Sequence, residues 1–380
     1  MRIGGDWLAR PATQGVLGML AQAGHRALVV GGAVRNAVLG MPVADVDVAT
    51  DAVPGRVMML AQAAGLRVVP TGVEHGTVTV VAGGIPHEVT TFRRDVATDG
   101  RRATVAFGTD LAEDAARRDF TMNALYAEAD GTVVDPLGGL PDARARRVRF
   151  AGDPATRIAE DRLRILRFFR FHATHGDPAQ GIDAEGLAAC AAGAGGVDRL
   201  SRERVGAEMR RLLAAPDPAP AVAAMAQAGV LGRVLPGADP RGLPRLVALE
   251  EGAPPRWLRR LAVLGGDGAG PRLRLSRAEE ADLRVLREGI GTQRTPAELG
   301  YGFGADLAGD IVLARAALLE GHLPGGWRAE AERGAAAVFP VRAADLMPAL
   351  AGRALGERLA ALETRWILSG FALTKDQLLD

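Results

Sequence analysis

The sequence predicts an α+β protein: an N-terminal head with a mixed or antiparallel sheet and helices, followed by an all-α remainder. Strand-like runs are confined to about the first 150 residues. Beyond Asp153-Pro154 the chain is rich in Ala, Leu, Arg and Glu, with breaks at Pro and Gly clusters, which is typical of helices joined by short turns. These observations predict a head over residues 1–150, a helical neck over 151–215, and a helical body and tail over 216–380.

Composition sets limits on the class of protein. A chain of 380 residues is long enough for two or three domains with substantial cores. The formal net charge is +1, so a nucleic-acid partner would be bound by local basic patches and not by overall charge. Cys190 is the single cysteine, which excludes an internal disulfide and disfavours a cysteine-based zinc site. The sequence shows neither a signal-peptide pattern nor a membrane-length apolar run, and we expect a cytoplasmic enzyme.

The first element of the head is a strand followed by a glycine turn. The apolar run 27–30 leads into Gly31-Gly32, and residues 33–39 read as a short helix ended by Gly40. Glycine allows a ligand to approach the backbone, and a helix N-terminus behind such a turn favours phosphate. Arg35 adds a cation with a fork of donors. This segment therefore predicts a phosphate-binding turn.

The next segment, residues 43–48, alternates apolar and acidic side chains. In a strand, Asp45 and Asp47 would share one face while Val46 and Val48 point to the core. Two adjacent carboxylates repel each other unless a cation lies between them, and carboxylate oxygens suit Mg²⁺. A phosphate turn beside a Mg²⁺ pair indicates nucleotidyl transfer. The alternative is a tight turn followed by a solvated acidic edge strand.

Two further pairs of β-rich runs belong to the predicted sheet, and the second pair carries a hairpin signal. Residues 78–81 and 88–92 are β-rich runs separated by Gly83-Gly84, and residues 125–128 and 132–135 flank Asp130-Gly131. Glu88 could join the aspartate pair as a third carboxylate, or it could be a surface residue of its strand.

A third segment, residues 117–124, carries Arg118, Asp119 and Asn123. Arg118 could bind a triphosphate or ribose, with Asp119 holding it in place. Asp119 and Asn123 would share a face if this segment is helical. The alternative is an exposed, charged helix start.

The fourth segment, residues 160–170, predicts an amphipathic helix. One ridge carries Asp161, Arg164, Arg167 and Arg170. The opposite stripe, which anchors the helix in a core, consists of Ile165, Phe168, Phe169 and His172. The ridge is either a ligand-binding face or a solvated ladder of ion pairs. A fifth segment around Ser201 and Arg204 reads as the start of a supporting helix.

These five segments occur together and in this order, and from Ala27 to Leu213 the chain resembles the class II tRNA nucleotidyltransferase and poly(A) polymerase family of polymerase-β-like nucleotidyltransferases. The resemblance continues more weakly to the C-terminus. It implies that Gly32 and Arg35 contact the nucleotide triphosphate and that Asp45 and Asp47 bind Mg²⁺. Glu88 matches a position proposed as a third acidic group.

The resemblance also implies how the nucleotide is chosen. Arg118 would contact the incoming nucleotide, Asp161 and Arg164 would read the base, and Arg167 and Arg170 would serve the phosphates or the base pocket. A carboxylate accepts from the amino group of cytosine or adenine, and Arg donates to their ring acceptors. Uracil and guanine present a carbonyl instead, which would repel the carboxylate.

The implied activity is addition of C, C and A from CTP and ATP to the 3′ end of tRNA, with Mg²⁺ as cofactor and release of pyrophosphate. The helical body would bind the tRNA acceptor arm by shape. The segment 95–102 resembles the flexible loop associated with the switch from C to A addition. A CC-adding enzyme, a poly(A) polymerase and a non-catalytic RNA-binding module remain open. The chain departs from the family pattern at one place, where Asn36 follows Arg35 and the family has Asp.

Overall fold

The computed structural model describes residues 1–98, 103–251 and 253–380. Within this part of the chain, residues cluster into two compact units, Met1–Pro236 and Gly237–Asp380. The first unit contains all the strands of the described residues, and the second is helical. The predicted α+β class, with an N-terminal head and a helical remainder, is confirmed.

The head combines a sheet with short helices. Its strands are β1 (Ala27–Val30), β2 (Asp47–Thr50), β3 (Arg67–Gly72), β4 (Thr77–Ala82), β5 (Ile85–Thr91), β6 (Arg93–Thr98), β7 (Ala103–Phe107), β8 (Tyr126–Ala127) and β9 (Val133–Val134). Its helices are α1 (Asp6–Ala9), α2 (Pro11–Gln22), α3 (Gly32–Leu39), α4 (Pro54–Ala63), α5 (Leu111–Ala116) and α6 (Leu140–Arg144). Residues 121–123 form a 3₁₀ turn.

Among the described residues, seven strands form one mixed sheet in the order β3-β4-β5-β2-β1-β8-β9, and β6 pairs with β7 as a separate hairpin. The β2–β5 pair is parallel, with Val48 opposite Val89, and the other neighbours are antiparallel. The hairpin predicted at Asp130-Gly131 is present as β8–β9, and the β-rich runs around Gly83-Gly84 also pair antiparallel as β4–β5. The predicted strand over residues 43–48 is wrong at its start, because β2 begins only at Asp47 and Asp45 lies in the preceding segment.

The glycine turn after β1 has the predicted conformation. Gly31 has φ 68° and ψ −119°, a region that is open essentially to glycine alone. α3 follows directly and ends at Gly40, whose left-handed φ of 67° closes the helix. The backbone therefore bends sharply between the end of β1 and the first turn of α3.

The rest of the first unit is helical. Its helices are α7 (Pro154–Glu160), α8 (Leu163–His175), α9 (Ala184–Ala192), α10 (Arg202–Leu213), α11 (Ala219–Gln227) and α12 (Val230–Val234). Asp153 caps α7 and accepts a hydrogen bond from the Thr156 amide at 2.7 Å. The continuous helix predicted over 160–170 is wrong in one respect. Asp161 is extended, with φ −144° and ψ 107°, and lies between α7 and α8.

An aromatic cluster joins the head to α8. Phe168 stacks on Phe150 with ring centres 5.3 Å apart, and Phe120 lies 4.9 Å from Phe171. The apolar stripe predicted for this helix is buried, with Phe168 and Phe169 fully covered. Burial of these rings fixes the arginine ridge of α8 against the head, because both lie on one rigid helix.

The second unit is built from helices with one buried charge network. The helices are α13 (Leu243–Leu249), α14 (Trp257–Leu264), α15 (Ala269–Leu273), α16 (Arg277–Ile290), α17 (Pro296–Phe303), α18 (Ala305–Leu318), α19 (Trp327–Ala336), α20 (Gly352–Leu368) and α21 (Lys375–Leu379). Arg259 bridges Glu250 at 2.6 Å and Asp310 at 2.8 Å, so these buried charges are paired. No helix within the described ranges is long and apolar enough to span a membrane.

The aromatic cluster yields a stability prediction. Phe168→Ala removes a fully buried ring and should lower the free energy of unfolding of the first unit by about 3–5 kcal/mol. Urea unfolding followed by circular dichroism measures the change. Met59→Ala, at a side chain that is 57% exposed, is the control and should change little. Equal effects of the two substitutions would contradict the proposed role of the cluster.

Candidate functional site

Three carboxylates lie near the start of β2 and the middle of β5: those of Asp45, Asp47 and Glu88. Asp47 precedes Val48 and Glu88 precedes Val89, and the two valines are buried partners in the parallel ladder. Because side chains alternate along a strand, Asp47 and Glu88 stand side by side on the opposite face. Desolvation by the surrounding protein raises the pKa of Asp47 to about 6, and the negative charges of Glu88 and Asp45 act in the same direction. The site therefore carries an excess of negative charge in the absence of a cation.

The donor set at this position fits Mg²⁺. Asp45 and Asp47 supply hard carboxylate oxygens, and Mg²⁺ is commonly held by one or two carboxylates together with substrate phosphates. In the part of the chain that the structure describes, no group of three or more His, Cys, Asp or Glu side chains could hold a metal ion. Asp45 and Asp47 remain the pair that the sequence predicts, and the negative charge of Glu88 helps to raise the pKa of Asp47.

Arg118 is close to Asp47 of this acidic group and also to the glycine turn. It lowers the pKa of Asp47 electrostatically, and a Cβ atom added at Gly31 would lie 3.4 Å from its Nη1 atom. Its Nε donates to the Tyr126 hydroxyl at 3.1 Å and its Nη2 to Asp114 at 3.1 Å. A Cβ atom at residue 31 would be in ordinary van der Waals contact with this guanidinium, so the positive φ of Gly31 is what requires glycine here.

Asp114, rather than the predicted Asp119, holds Arg118. Asp114 is 1% exposed and also accepts from Arg117 and, at 2.6 Å, from the Tyr126 hydroxyl. Burial opposes ionisation of Asp114, but the two arginines and the Tyr126 hydroxyl more than offset it and lower its pKa. Sequence reasoning missed Asp114, although its spacing three and four residues before the arginines was an available signal.

Asp119 serves a different arginine. It accepts hydrogen bonds from Arg167 Nε at 2.8 Å and from the Asn123 side chain at 2.9 Å. Asp119 and Asn123 lie on the same side, as predicted, but a 3₁₀ turn over residues 121–123 brings them together instead of an α-helix. Although burial opposes ionisation, Arg167 and the hydrogen bonds keep the pKa of Asp119 below its usual range. Asp119 therefore ties the head to α8.

Arg35 is held by amide oxygens. Its Nη1 donates to Asn123 Oδ1 at 2.6 Å, and its Nε and Nη2 donate to Asn36 Oδ1 at 3.1 and 2.8 Å. Burial lowers the pKa of Arg35 to about 10, and the neighbouring Arg170 and Arg167 act in the same direction. At neutral pH the group still carries its charge, in a region where further positive charge is close.

The arginines of α8 surround one aromatic ring. The guanidinium carbons of Arg35 and Arg167 each lie 5.2 Å from the centre of Phe171, and that of Arg170 lies at 4.4 Å. Glu208, which is 4% exposed, accepts from Arg170 at 2.5 Å and lies 4.0 Å from Arg167. α10 therefore supports the ridge, as the fifth sequence segment predicts.

The two residues expected to read a base have separate partners. Asp161 accepts from Arg204 at 2.7 Å and from the Leu163 amide at 3.0 Å. Arg164 donates to Glu160 at 2.5 Å and to the backbone carbonyl oxygens of Arg157 and Arg117. Three of its five N–H donors are thereby used, which leaves donors for a ligand. Glu160 was not identified from the sequence as a partner.

The structure thus brings the predicted residues together in two groups. The first comprises Asp45, Asp47, Glu88 and Arg118. The second comprises Arg35, Arg167 and Arg170 around Phe171, with Asp161 and Arg164 at the start of the same helical region. Of the segment 95–102, the backbone of 95–98 belongs to β6, while residues 99–102 lie outside the described residues.

The fold and these groups define a nucleotidyltransferase-type head followed by a helical region, and comparisons with known proteins agree. Residues 27–149 match the family model of the poly A polymerase head domain. Residues 181–241 match the model described as a probable RNA and SrmB-binding site of polymerase A.

The chain is 30% identical to the Bacillus stearothermophilus CCA-adding enzyme, whose structure was solved in complex with CTP. That match has a TM-score of 0.77 and covers 96% of this chain and 94% of the other. The chain belongs to the family of CCA-adding enzymes and poly(A) polymerases.

Curated relatives match over a shorter range. The CCA-adding enzyme of Geobacillus thermodenitrificans is 39% identical over 258 residues, which cover 67% of this chain and 59% of the relative. The mitochondrial CCA tRNA nucleotidyltransferase 1 of Mus musculus is 42% identical over 196 residues, which cover 51% and 45%. The chain therefore matches about half the length of these relatives.

The raised pKa of Asp47 yields a pH prediction. The folded protein holds the Asp47 proton up to about pH 6 and the unfolded chain only to about pH 4, so stability from this group is lost as pH rises through 6. In EDTA, Asp47→Asn should therefore raise the melting temperature above pH 6 and leave it unchanged below pH 4. Thermal unfolding at several pH values measures this difference.

Asp6→Asn, at an exposed carboxylate, is the matched control for this experiment. A melting temperature of Asp47→Asn at or below that of the unmodified protein at pH 8 would contradict the electrostatic assignment.

Proposed function

We propose that this protein adds C, C and A to the 3′ end of tRNA, using CTP and ATP and releasing pyrophosphate. The observation that carries the proposal is the position of Arg118, close both to the Asp47 carboxylate and to the Gly31 turn that opens α3. Negative charge for a cation and positive charge for a triphosphate thus occur side by side. The likeness to the Bacillus stearothermophilus CCA-adding enzyme in complex with CTP supports CTP as one substrate.

In this proposal Asp45 and Asp47 hold Mg²⁺, with Glu88 adding to the negative field. When bound, the ion would neutralise charge on the pyrophosphate leaving group and assist ionisation of the attacking hydroxyl. The first-turn amides of α3, beginning at Gly32, lack partners within the helix and favour a phosphate. Arg35 and Arg118 bind the triphosphate, which places the α-phosphorus for in-line attack by the tRNA 3′-hydroxyl.

Base choice is proposed to rest on Asp161 and Arg164. The Asp161 carboxylate accepts the amino group of cytosine or adenine, while the two remaining Arg164 donors reach a ring acceptor. Arg204 and Glu160 hold the two side chains in place through contacts of 2.7 and 2.5 Å. Arg167 and Arg170 add positive charge on the same helix, and their packing on Phe171 limits their movement.

The helical part of the chain is proposed to bind the tRNA acceptor arm. In this division, residues 1–150 carry the transfer chemistry, 151–215 recognise the base, and 216–380 contact tRNA. RNA helices are bound chiefly through shape and backbone, which suits helical surfaces with dispersed arginines. These substrates are compatible with the cytoplasmic location that the sequence predicts.

The experiment that tests the function is a transfer assay with purified protein, Mg²⁺ and tRNA that lacks its CCA end. With CTP alone we expect addition of two C, and with CTP and ATP one further A. Asp45→Ala should reduce transfer to background without loss of folding, because the cation loses half of its carboxylate pair. Two C without A would indicate a CC-adding enzyme, and a long A ladder a poly(A) polymerase. Full activity of Asp45→Ala would contradict the metal assignment.

The base-reading proposal has its own test. Asp161→Ala should raise incorporation of UTP relative to CTP by about tenfold or more, because the repulsion between the carboxylate and the uracil carbonyl is removed. Competition between labelled CTP and UTP in the same assay measures the ratio. Asp198→Ala, which removes an exposed carboxylate paired with Arg233, is the matched control. An unchanged CTP-to-UTP ratio in Asp161→Ala would refute this role.

A further inference from the structure

Asn36 makes three hydrogen bonds that fix its side-chain amide in one orientation. Its Oδ1 accepts from Arg35 Nε at 3.1 Å and from Arg35 Nη2 at 2.8 Å. Its Nδ2 donates to the Pro42 carbonyl oxygen at 2.8 Å. Arginine offers donors alone and a carbonyl offers acceptors alone, so the reverse orientation of the amide would place donor against donor and acceptor against acceptor. Both the oxygen and the nitrogen of the Asn36 amide therefore have hydrogen-bond partners.

The first consequence concerns the charge of Arg35. In the described residues its hydrogen-bond partners are the oxygens of Asn36 and Asn123, both of which are neutral. Asp119 is the carboxylate that raises its pKa, but Asp119 is already paired with Arg167. The guanidinium of Arg35 is thus held in place by groups that leave its positive charge uncompensated by a direct ion pair.

The second consequence concerns the segment before β2. Pro42 lies at the start of the short connection from α3 to β2, three residues before Asp45. The bond from Asn36 to the Pro42 carbonyl ties this connection to the guanidinium of Arg35 through a single side chain. Asn36, which holds the proposed phosphate ligand Arg35, thereby also helps to position the backbone segment that carries Asp45.

We propose that Asn36 is a positioning residue that orients Arg35 for a nucleoside polyphosphate while leaving its full charge available. The proposal rests on the proposed function, since it assigns Arg35 a triphosphate as ligand. An aspartate at this position could accept from Arg35 but could not donate to the Pro42 carbonyl, and its charge would partly cancel that of the guanidinium. Asn36 therefore forms a neutral clamp on Arg35, where an aspartate would form an ion pair.

The test compares Asn36→Asp with Asn36→Ala. Binding of CTP in Mg²⁺ buffer without RNA is measured by isothermal titration calorimetry, and KM and kcat are measured separately in the transfer assay. Asn36→Asp should weaken CTP binding at least fivefold, and the loss should shrink as salt rises, because the added charge is screened. Asn36→Ala adds no charge, so it should lower kcat more than it raises KM, through loss of the Arg35 and Pro42 contacts.

Gln62→Glu, which adds the same charge at an exposed position, is the control for net charge. Circular dichroism establishes that each variant is folded. If Asn36→Asp binds CTP as tightly as Gln62→Glu does, the inference is overturned. A different result would contradict the proposed function: the unmodified protein would neither bind CTP nor catalyse transfer.

Discussion

The organisation of the first unit depends on the pairing of partly buried arginines with carboxylates or amides. Asp114 holds Arg118, Asp119 holds Arg167, and Glu208 holds Arg170, each within ordinary hydrogen-bond distance. A buried charge without such a partner would be costly, so these contacts fix the positions of the side chains closely. They also connect the sheet of the head with α8 and α10, which are distant in sequence.

The candidate site separates opposite charges over a short distance. Asp45, Asp47 and Glu88 create a negative region, and the charges of Glu88 and Asp45 add to the desolvation that raises the pKa of Asp47. Arg118 borders that region, and other arginines group around Phe171. An ion between the aspartates and a polyphosphate against the arginines would relieve both kinds of repulsion at once. The energetics of the protein alone thus favour the substrate–metal combination that the proposed reaction requires.

Much of this arrangement could be predicted from local patterns. The strand, glycine turn and helix over residues 27–40 follow from residue types whose conformational preferences are strong, such as Gly31 and Gly40. The buried stripe of α8 and the Asp153 cap follow from helical periodicity and capping chemistry. The predictions that failed concern places where a tertiary contact outweighs the local pattern. Asp161 is extended, and Asp119 turns toward Arg167 instead of Arg118.

The sequence by itself determined the class of fold, the carboxylate pair and the arginine ridge, because spacing and residue type specify secondary structure and the chemistry it presents. Tertiary structure alone decided which carboxylates meet Arg167 and Arg170. Asp119 lies 48 residues before Arg167 and Glu208 lies 38 residues after Arg170, and only the folded chain brings each pair together. It also decided that Asn36 bonds to both Arg35 and Pro42, since the outcome depends on the path of the backbone between α3 and β2. Such contacts join residues that are close in space but not in sequence, so local sequence patterns do not predict them.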